Sequence, residues 1–382
     1  MHPDLIGVHF FCMKCSEIIK NLEEGVPKEI AWQRDNVGLQ VGSADREINN
    51  ILLCLELTSN VIDEAVEKNC NLIISHHPLL FHPLKKVDLQ KDKNSKLLEK
   101  LIKKEINLYS EHTNLDYTKD GVSFELAKTL GLKNIDFLVP LDSNQYKLVV
   151  FVPKTHLKNV SDALFNSGCG IIGEYGNCSF TTKGKSTFKG SEKSNPSIGQ
   201  KEKFEAVEEY RLEVIVDSWK LNSAINALKG GHLYEEPAFD IYPLKNQNIN
   251  YGIGAVGELE DYILPEEFLS HISKTLNVKG LKYTSGKSER IKKVALCGGA
   301  GGEYIPNAIK SGADAYITAD VKYHSFHDAA GEIFLIDAGH YETEIHSLSE
   351  VERKLSSFLG SGTTIKIFKY SKSTNPIIFY NN

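Results

Sequence analysis

The sequence has 382 residues, of which 41% are hydrophobic and 25% are charged, and its formal net charge is −6. This composition is typical of a globular protein with a buried core, and the length predicts about two or three domains. The acidic balance gives no general reason to expect a nucleic-acid partner, and the absence of an uncharged apolar run of about 18 residues argues against a membrane span.

The N-terminal region and the cysteines indicate a cytoplasmic protein with reduced thiols. The seven cysteines are scattered along the chain, and an odd number does not fit a disulfide framework. Cys12 and Cys15 form a single CxxC motif, which is either a chance arrangement or half of a zinc or redox site. Residues 1–12 lack the basic start of a secretory signal. We expect them to be a non-core extension that precedes a native start at Met13.

The first clear pattern is a strand, a helix and a second strand. "INNILLCLEL" is an apolar run of strand length, and the apolar residues of "TSNVIDEAVEKN" have helical spacing, with Thr, Ser and Asn available as N-caps. "NLIIS" is then a second buried strand, and His76 and His77 follow it directly. In such βαβ units, ligands collect at the carboxyl ends of the strands.

The same arrangement is repeated further along the chain. "EINLYSEHTNLD" predicts a short strand, with His112 and Asp116 just beyond its end. "GVSFELAKTLGL" predicts the helix that comes next.

From about residue 144 the pattern changes to βαββαβ, an order typical of a ferredoxin-like fold. We therefore predict an inserted ferredoxin-like domain at 144–245, within a discontinuous α/β core formed by 13–143 and 246–382. The segment 183–204 is rich in Ser, Gly and Lys and predicts a mobile loop. Its six lysines are better explained by a solvated loop than by a nucleic-acid surface.

After the insert the α/β pattern resumes with a strand, a glycine-rich turn, a helix and another strand. "VKYHSFHDAAGE" predicts a helix, and "IFLIDAGHYETEIHSLSEVERKL" predicts a strand that runs into a helix. The glycine-rich turn "CGGAGGE" matches neither common nucleotide-binding motif. It is either a plain tight turn or a place where the backbone approaches a ligand or metal site.

Residues with metal-binding side chains accumulate at the predicted strand ends. His340 and Glu344 are four residues apart, so a helix that begins near Gly339 places them on one face. Two adjacent histidines point in different directions, and a single catalytic metal needs fewer ligands than the chain offers. This favours two metal ions that share a bridging carboxylate. The five candidate ligands are His76, His77, Asp116, His340 and Glu344.

Four further residues lie near these strand ends, and for most of them the sequence is compatible with two different roles. His112 is either a metal ligand or an outer hydrogen-bond donor. His324 and His327, three apart on a predicted helix, are either surface residues or a proton shuttle that faces the site. Asp337 is expected to cap the turn before Gly339.

Six motifs in a fixed order give the chain a resemblance to a known family. The motifs are "DNVGLQVG", "SHHPLLF", "HTNLD", "CGGAGGE", "ITADVKYHSFHDA" and "DAGHYETE". With them the chain resembles the Nif-three-like family, also called GTP cyclohydrolase 1 type 2 homologues, from about Met13 to Tyr380. The insert resembles that of the longer bacterial members, which is similar to the ferredoxin-like trimers of nitrogen regulation and copper tolerance.

The resemblance implies an α/β core of two related halves and a dinuclear metal centre inside a toroidal homohexamer. It assigns the ligands to the same five residues, with Glu344 as the bridge. Imidazole and carboxylate ligands suit zinc, iron or manganese, which we expect as the two ions per chain. Two positions depart from the family pattern: Arg34 replaces an expected aromatic residue, and Glu56 replaces the usual Asp. We expect neither to touch a ligand and both to affect local packing or a pocket wall.

By this resemblance, the function is that of a metal-dependent hydrolase of the GTP cyclohydrolase type, with a small molecule or nucleotide as substrate. His324 and His112 are the candidate proton donors to the leaving group. The alternative is a non-catalytic metal-binding or regulatory hexamer whose insert senses a small ligand.

Overall fold

The structure, a computed structural model, describes residues 13–380. The extension predicted at 1–12, including Cys12 of the CxxC motif, lies outside the described residues. The chain divides into two compact units, one formed by Pro140–Tyr251 and the other by the segments before and after it. We call the first the insert unit and the second the core unit. The inserted domain predicted at 144–245 falls within the range of the insert unit.

Residues 13–141 contain eight strands and five α-helices. The strands are β1 (Met13–Lys14), β2 (Gly38–Val41), β3 (Glu47–Ile48), β4 (Asn50–Cys54), β5 (Leu72–Ser75), β6 (Asn107–Ser110), β7 (Lys133–Asp136) and β8 (Val139–Leu141). The helices are α1 (Cys15–Gly25), α2 (Ser59–Glu67), α3 (Lys93–Lys103), α4 (Thr113–Asp116) and α5 (Val122–Thr129). The helix α2 begins where the sequence predicts it, because the Thr58 hydroxyl accepts a hydrogen bond from the Val61 N–H at 3.3 Å.

The first sheet of the core unit has a parallel centre. Its strand order is β19-β4-β5-β6-β2, where β19 is the last strand of the chain (Lys366–Lys369). Strands β4, β5 and β6 are buried and pair in parallel, as expected for apolar runs covered on both faces. Their last residues, Cys54, Ser75 and Ser110, are aligned in register. The segments that follow these three strands therefore emerge at one edge of the sheet.

The insert unit has the βαββαβ order that the sequence predicts. Its elements are β9 (Gln145–Pro153), α6 (Leu157–Asn166), β10 (Ser179–Lys189), β11 (Phe204–Asp217), α7 (Leu221–Gly231) and β12 (Phe239–Pro243). The strands form an antiparallel sheet in the order β10-β11-β9-β12. Both helices pack apolar residues, such as Val160 and Leu228, against buried strand residues such as Leu148 and Val214.

The prediction of a loop over 183–204 is wrong for its first part. Residues up to Lys189 belong to β10, which pairs with β11 over its whole length. The strand lies at the edge of its sheet and its side chains are mostly exposed, so it does not have the apolar alternation that identifies a half-buried strand. Only the segment between Lys189 and Phe204 is irregular.

The last part of the chain returns to the core unit. β13 (Asn248–Ile253) begins in the insert unit and ends in the core unit. The strands after it are β14 (Ala255–Ile263), β15 (Lys282–Thr284), β16 (Ile291–Leu296), β17 (Ala315–Thr318), β18 (Phe334–Asp337) and β19. The helices after it are α8 (Pro265–Thr275), α9 (Ile305–Lys310), α10 (Tyr323–Ala329), α11 (His340–Glu344) and α12 (Ser347–Leu359). Short 3₁₀ helices lie at Lys28–Ile30, Lys154–His156, Ser218–Lys220 and Gly302–Tyr304.

The second sheet of the core unit also has three consecutive parallel strands at its centre. Its order is β15-β18-β17-β16-β14-β7, with β16, β17 and β18 parallel. Thr318 and Asp337, the last residues of β17 and β18, are aligned. The predicted α/β class is therefore confirmed. Each of the α-helices between residues 13 and 380 is too short or too polar to cross a bilayer.

Candidate metal centre

The five predicted ligands converge at the carboxyl ends of the parallel strands. His76 and His77 follow β5 directly, and Asp116 is the last residue of α4, just after β6. His340 and Glu344 are the first and last residues of α11, which follows β18. The helix predicted to begin near Gly339 is thus confirmed.

Glu344 lies at the centre of the cluster. Its Oε1 atom is 2.9 Å from Nε2 of His340 and 3.8 Å from Nε2 of His76, and its Oε2 atom is 3.2 Å from Nε2 of His77. Asp116 also lies in the cluster, with its Oδ1 atom 3.7 Å from Nε2 of His76. One carboxylate therefore contacts imidazoles that come from both sheets.

Within residues 13–380, two overlapping groups of side chains have potential ligand atoms close enough to hold a metal ion. The first group is His76, His77 and His112, and the second is His77, His340 and Glu344. Both contain His77, so the two groups are adjacent. The donor atoms are imidazole nitrogens and carboxylate oxygens, which suit zinc, iron and manganese.

Among the described residues, three potential ligand atoms in this cluster are buried and make no hydrogen bond of good geometry, although Oε2 of Glu344 lies 3.2 Å from Nε2 of His77. They are Nε2 of His76, Oδ1 of Asp116 and Oε2 of Glu344. Buried polar atoms in native proteins are almost always paired, because leaving one unpaired costs free energy. Cations bound in this cluster would pair with these atoms, so the residues fit a metal site; Asp116 belongs to neither of the two groups above.

Each of the four imidazoles turns Nδ1 outward to an oxygen atom. His76 pairs with the main-chain oxygen of Glu111 at 2.7 Å, His77 with Glu56 at 2.8 Å, His112 with Asp35 at 2.9 Å and His340 with Asp320 at 2.7 Å. A ring that donates from Nδ1 would present an unprotonated Nε2 to a bound cation on its other side. Metal-binding histidines usually have such an outer partner, which fixes the tautomer and the orientation of the ring.

The expectation that Glu56 does not touch a ligand is wrong, because its carboxylate accepts the hydrogen bond from His77. Glu56 lies two residues beyond β4, and Asp320 lies two residues beyond β17. Both residues therefore follow the end of a strand, as the candidate ligands do. Arg34, the other position that differs from the family pattern, is exposed, and its Cζ atom lies 5.9 Å from the centre of the Trp32 ring.

Charges within the cluster are strongly coupled. Burial opposes the ionised form of Glu344, but the histidines around it hold the pKa of this carboxyl well below its usual range. Burial also opposes protonation of His77 and His340, yet Glu344 and the outer carboxylates outweigh it. The pKa of His77 is raised to about 10 and that of His340 to about 9. Burial raises the pKa of Asp116.

The glycine-rich turn forms a wall of the cluster. Gly299 has φ +64°, and a Cβ atom there would overlap Oε1 of Glu344 and lie 3.3 Å from Nε2 of His340. Its N–H donates to the hydroxyl of Thr343 at 3.0 Å. The structure therefore supports the second interpretation of "CGGAGGE", in which the backbone approaches the site closely.

His112 and His324 are in different surroundings. The His112 ring is centred 5.2 Å from that of His76 and 5.4 Å from that of His77, so it is part of the cluster. His324 is exposed on α10, where its ring contacts Tyr323, and it belongs to neither group of potential ligands within residues 13–380. The catalytic roles of both histidines stay predictions.

Asp337 has the expected capping role. Its Oδ1 atom accepts a hydrogen bond from the Gly339 N–H at 3.2 Å. Its Oδ2 atom accepts one from the Val321 N–H at 3.2 Å and pairs with Lys282 at 2.6 Å. Asp337 thus ties together the turns after β17 and β18 that carry Asp320 and His340.

Fold and cluster together define an α/β protein with a candidate metal centre at the strand ends of its two sheets. The sequence profile of the Duf34/NIF3 (NGG1p interacting factor 3) family matches residues 13–376, and the chain belongs to this family.

Similar proteins cover almost the whole chain. A protein of Halalkalibacterium halodurans named GTP cyclohydrolase 1 type 2 homolog is 39% identical over 90% of this chain and 92% of its own length. A protein of the same name from Bacillus subtilis is 37% identical over 95% of this chain and 98% of its own length. The crystal structure of a Bacillus cereus protein related to NIF3 covers 97% of this chain and 100% of its own, with 36% identity and a TM-score of 0.86.

Proposed function

We propose that this chain is a metal-dependent hydrolase that holds two divalent cations per chain, with Glu344 as the bridging ligand. The observation that carries the proposal is the group of three buried potential ligand atoms, on His76, Asp116 and Glu344, that make no hydrogen bond of good geometry with the described residues. His77 and His340 complete the ligand set, since Nε2 of each lies within 3.2 Å of Glu344. Zinc, iron and manganese are the proposed ions.

When bound, a pair of cations supplies Lewis acidity, which polarises the substrate and makes a coordinated water more acidic. The chain's own contribution is to move protons, and His112 is placed to do so beside the cluster. Its Nδ1–H donates to the Asp35 carboxylate at 2.9 Å, which leaves Nε2 free to accept a proton. Asp35 would stabilise the charged ring, which can then donate to a leaving group. His324 is the second candidate for this role.

The name of the curated relatives suggests a nucleotide as the first substrate class to test. A cavity of about 470 Å³ next to the cluster is lined by residues that include Arg34, Asp35 and Phe81. The Phe81 ring is 6.1 Å from that of His112. Arg34 forms no ion pair with the residues that the structure describes, so its guanidinium is available for a phosphate group.

The decisive experiment measures turnover of metal-loaded protein with GTP, phosphoesters and small amides. We expect metal-dependent turnover of at least one class, lost in Glu344→Gln and retained in Glu342→Gln, a change on the same short helix. Activity that survives Glu344→Gln would indicate a contaminating enzyme. Absence of turnover with fully loaded protein would favour the alternative.

The alternative is a cytoplasmic, non-catalytic metal-binding or regulatory homohexamer whose insert senses a small ligand. The observation in its favour is that the insert unit has a cavity of its own, of about 500 Å³. Sedimentation of the full chain with and without metal tests the assembly. A monomer under both conditions would contradict the toroidal homohexamer, and the hydrolase proposal would stand or fall separately on turnover.

A further inference from the structure

The insert unit contains a cavity with the size and lining of a small-molecule site. Its volume is about 500 Å³, and its apolar side chains include Phe151, Phe188 and Ile198. Cavities that bind small organic molecules have this range of volumes, with mostly apolar walls and a few polar groups that fix orientation. The polar groups in this cavity therefore indicate which ligand it selects.

The main polar group is the carboxylate of Glu209 on β11. This residue is 5% exposed and lines the cavity. No lysine, arginine or histidine in the described part of the chain forms an ion pair with it, and Lys189, which also lines the cavity, is not close enough to do so. A buried carboxylate without a positive partner is costly, because ionised groups lose strong hydration on burial.

The neighbouring histidine does not supply the positive charge. His232 donates from Nε2 to the main-chain oxygen of Phe151 at 3.0 Å, and its Nδ1 accepts the N–H of Tyr234 at 3.0 Å. Because one ring nitrogen donates and the other accepts, this ring is neutral. Burial also lowers its pKa.

A second polar group faces Glu209. The Oη atom of Tyr234 is buried and lies close to the Glu209 carboxylate. Burial, and then the nearby Glu209 carboxylate, raise the pKa of this phenol, so it stays protonated. Glu235 and Glu236 also line the cavity and are exposed, so the charge around it is acidic overall.

We propose that this cavity binds a small organic cation, an amine or guanidinium compound with an apolar body. The positive group pairs with Glu209 and contacts Tyr234, and the body packs on Phe151 and Phe188, where aromatic rings also favour a cation. The site lies wholly within the insert unit. It requires no metal and no hydrolysis, so this proposal and the proposed function fail separately.

A matched pair of probes isolates the charge. Tryptamine and indole-3-ethanol have the same ring and chain and differ in an ammonium versus a hydroxyl group. We expect calorimetric titration of the full chain to give at least tenfold tighter binding of tryptamine. Glu209→Gln should reduce tryptamine binding to the level of indole-3-ethanol, because the amide has the same shape without the charge.

Two further variants separate binding from folding. Glu208→Gln is the matched control: Glu208 is exposed, adjacent on the same strand and paired with Lys183 at 2.9 Å, so tryptamine binding should not change. Tyr234→Phe keeps the ring and should weaken tryptamine by about twofold to fivefold through the lost hydroxyl. Without probe, Glu209→Gln should melt at or above the wild-type temperature, since it removes a buried charge.

Three results would overturn the proposal. The first is equal affinity for both probes, or no binding of tryptamine at millimolar concentration. The second is tryptamine binding that is unchanged in Glu209→Gln. The third is a change of oligomeric mass in Glu209→Gln, which would mean that a positive residue of a second copy neutralises this carboxylate.

Discussion

The two sheets of the core unit use the same architecture to present different chemistry. Each has three consecutive parallel strands whose carboxyl ends are aligned. The first sheet contributes mostly imidazoles, from the chain that follows β5 and β6. The second contributes one imidazole and the central carboxylate, both from α11. The group of His76, His77 and His112 comes from the first sheet alone, but the five proposed ligands come together only where the two sheets meet.

The outer partners differ in the same way. On the first sheet a main-chain oxygen and two carboxylates, from Glu111, Asp35 and Glu56, hold the imidazoles. On the second sheet a single carboxylate, Asp320, holds His340. Asp320 has φ +53°, a conformation that Asn and Asp adopt more readily than other residues with side chains. The second half therefore depends on a more specialised turn.

The largest effect is expected for the residue that joins the two halves. Glu344→Ala removes the carboxylate that lies within 3.2 Å of Nε2 of both His77 and His340 and that is proposed to bridge both ions. It should reduce metal content from about two ions per chain to near zero, measured by elemental analysis of purified protein. Glu342→Ala on the same helix is the control and should keep both ions. A Glu344→Ala protein that retains two ions would exclude a bridging role.

Changing one imidazole on each sheet should have about half of that effect. His76→Ala and His340→Ala each remove a ligand of one ion, so each variant should keep about one ion per chain. His82→Ala, at an exposed histidine, should keep about two. If the wild type holds only one ion under saturating metal, the site is mononuclear and the comparison between the two halves must be redrawn.

Outer partners should matter less than ligands. Glu56→Gln and Asp320→Asn keep an oxygen that accepts the Nδ1–H but remove its charge, and we expect metal affinity to fall by about tenfold in each. Competition with a chelating dye measures this loss. Glu67→Gln, an exposed change on α2, is the control. An unchanged affinity in Glu56→Gln would mean that His77 is held by packing alone.

The smallest effect is expected at the wall of the site. Gly299→Ala forces a side chain into a positive-φ position and against Glu344, and should lower the free energy of unfolding by about 1–2 kcal/mol. Gly302→Ala, where nothing lies within 4 Å of the added Cβ atom, is the control. Thermal or denaturant unfolding of the two variants makes the comparison. Equal stability of the two variants would show that the turn accommodates the alanine side chain at position 299 without strain.

The sequence predicts the fold, and it predicts which candidate ligands lie together at the strand ends, because both follow from local patterns. Buried strands such as β5 are continuous apolar runs, and the four-residue spacing of His340 and Glu344 places them on one face of α11. Strand ends of a parallel sheet lie at one edge, so residues far apart in the chain can be assigned to one site.

What the sequence did not predict depends on contacts between distant segments. Glu56 and Asp35 are ordinary acidic residues until folding brings them to His77 and His112. Likewise, β10 has exposed polar faces, so only its pairing with β11 identifies it as a strand. The burial of Glu209 is of the same kind, because its neighbours in sequence, Glu208 and Glu205, are not buried.

The outward hydrogen bonds of the four imidazoles have a consequence for the order of events in the cell. The oxygen atoms that accept these hydrogen bonds belong to the protein itself, and the strands that precede the histidines pack in an apolar core. The rings are therefore oriented before any cation arrives. Small zinc domains differ, since they fold only as the metal binds. We expect this chain to fold first and load afterwards. The supply of metal would then determine what fraction of the protein holds ions, and the amount of folded protein would not depend on it.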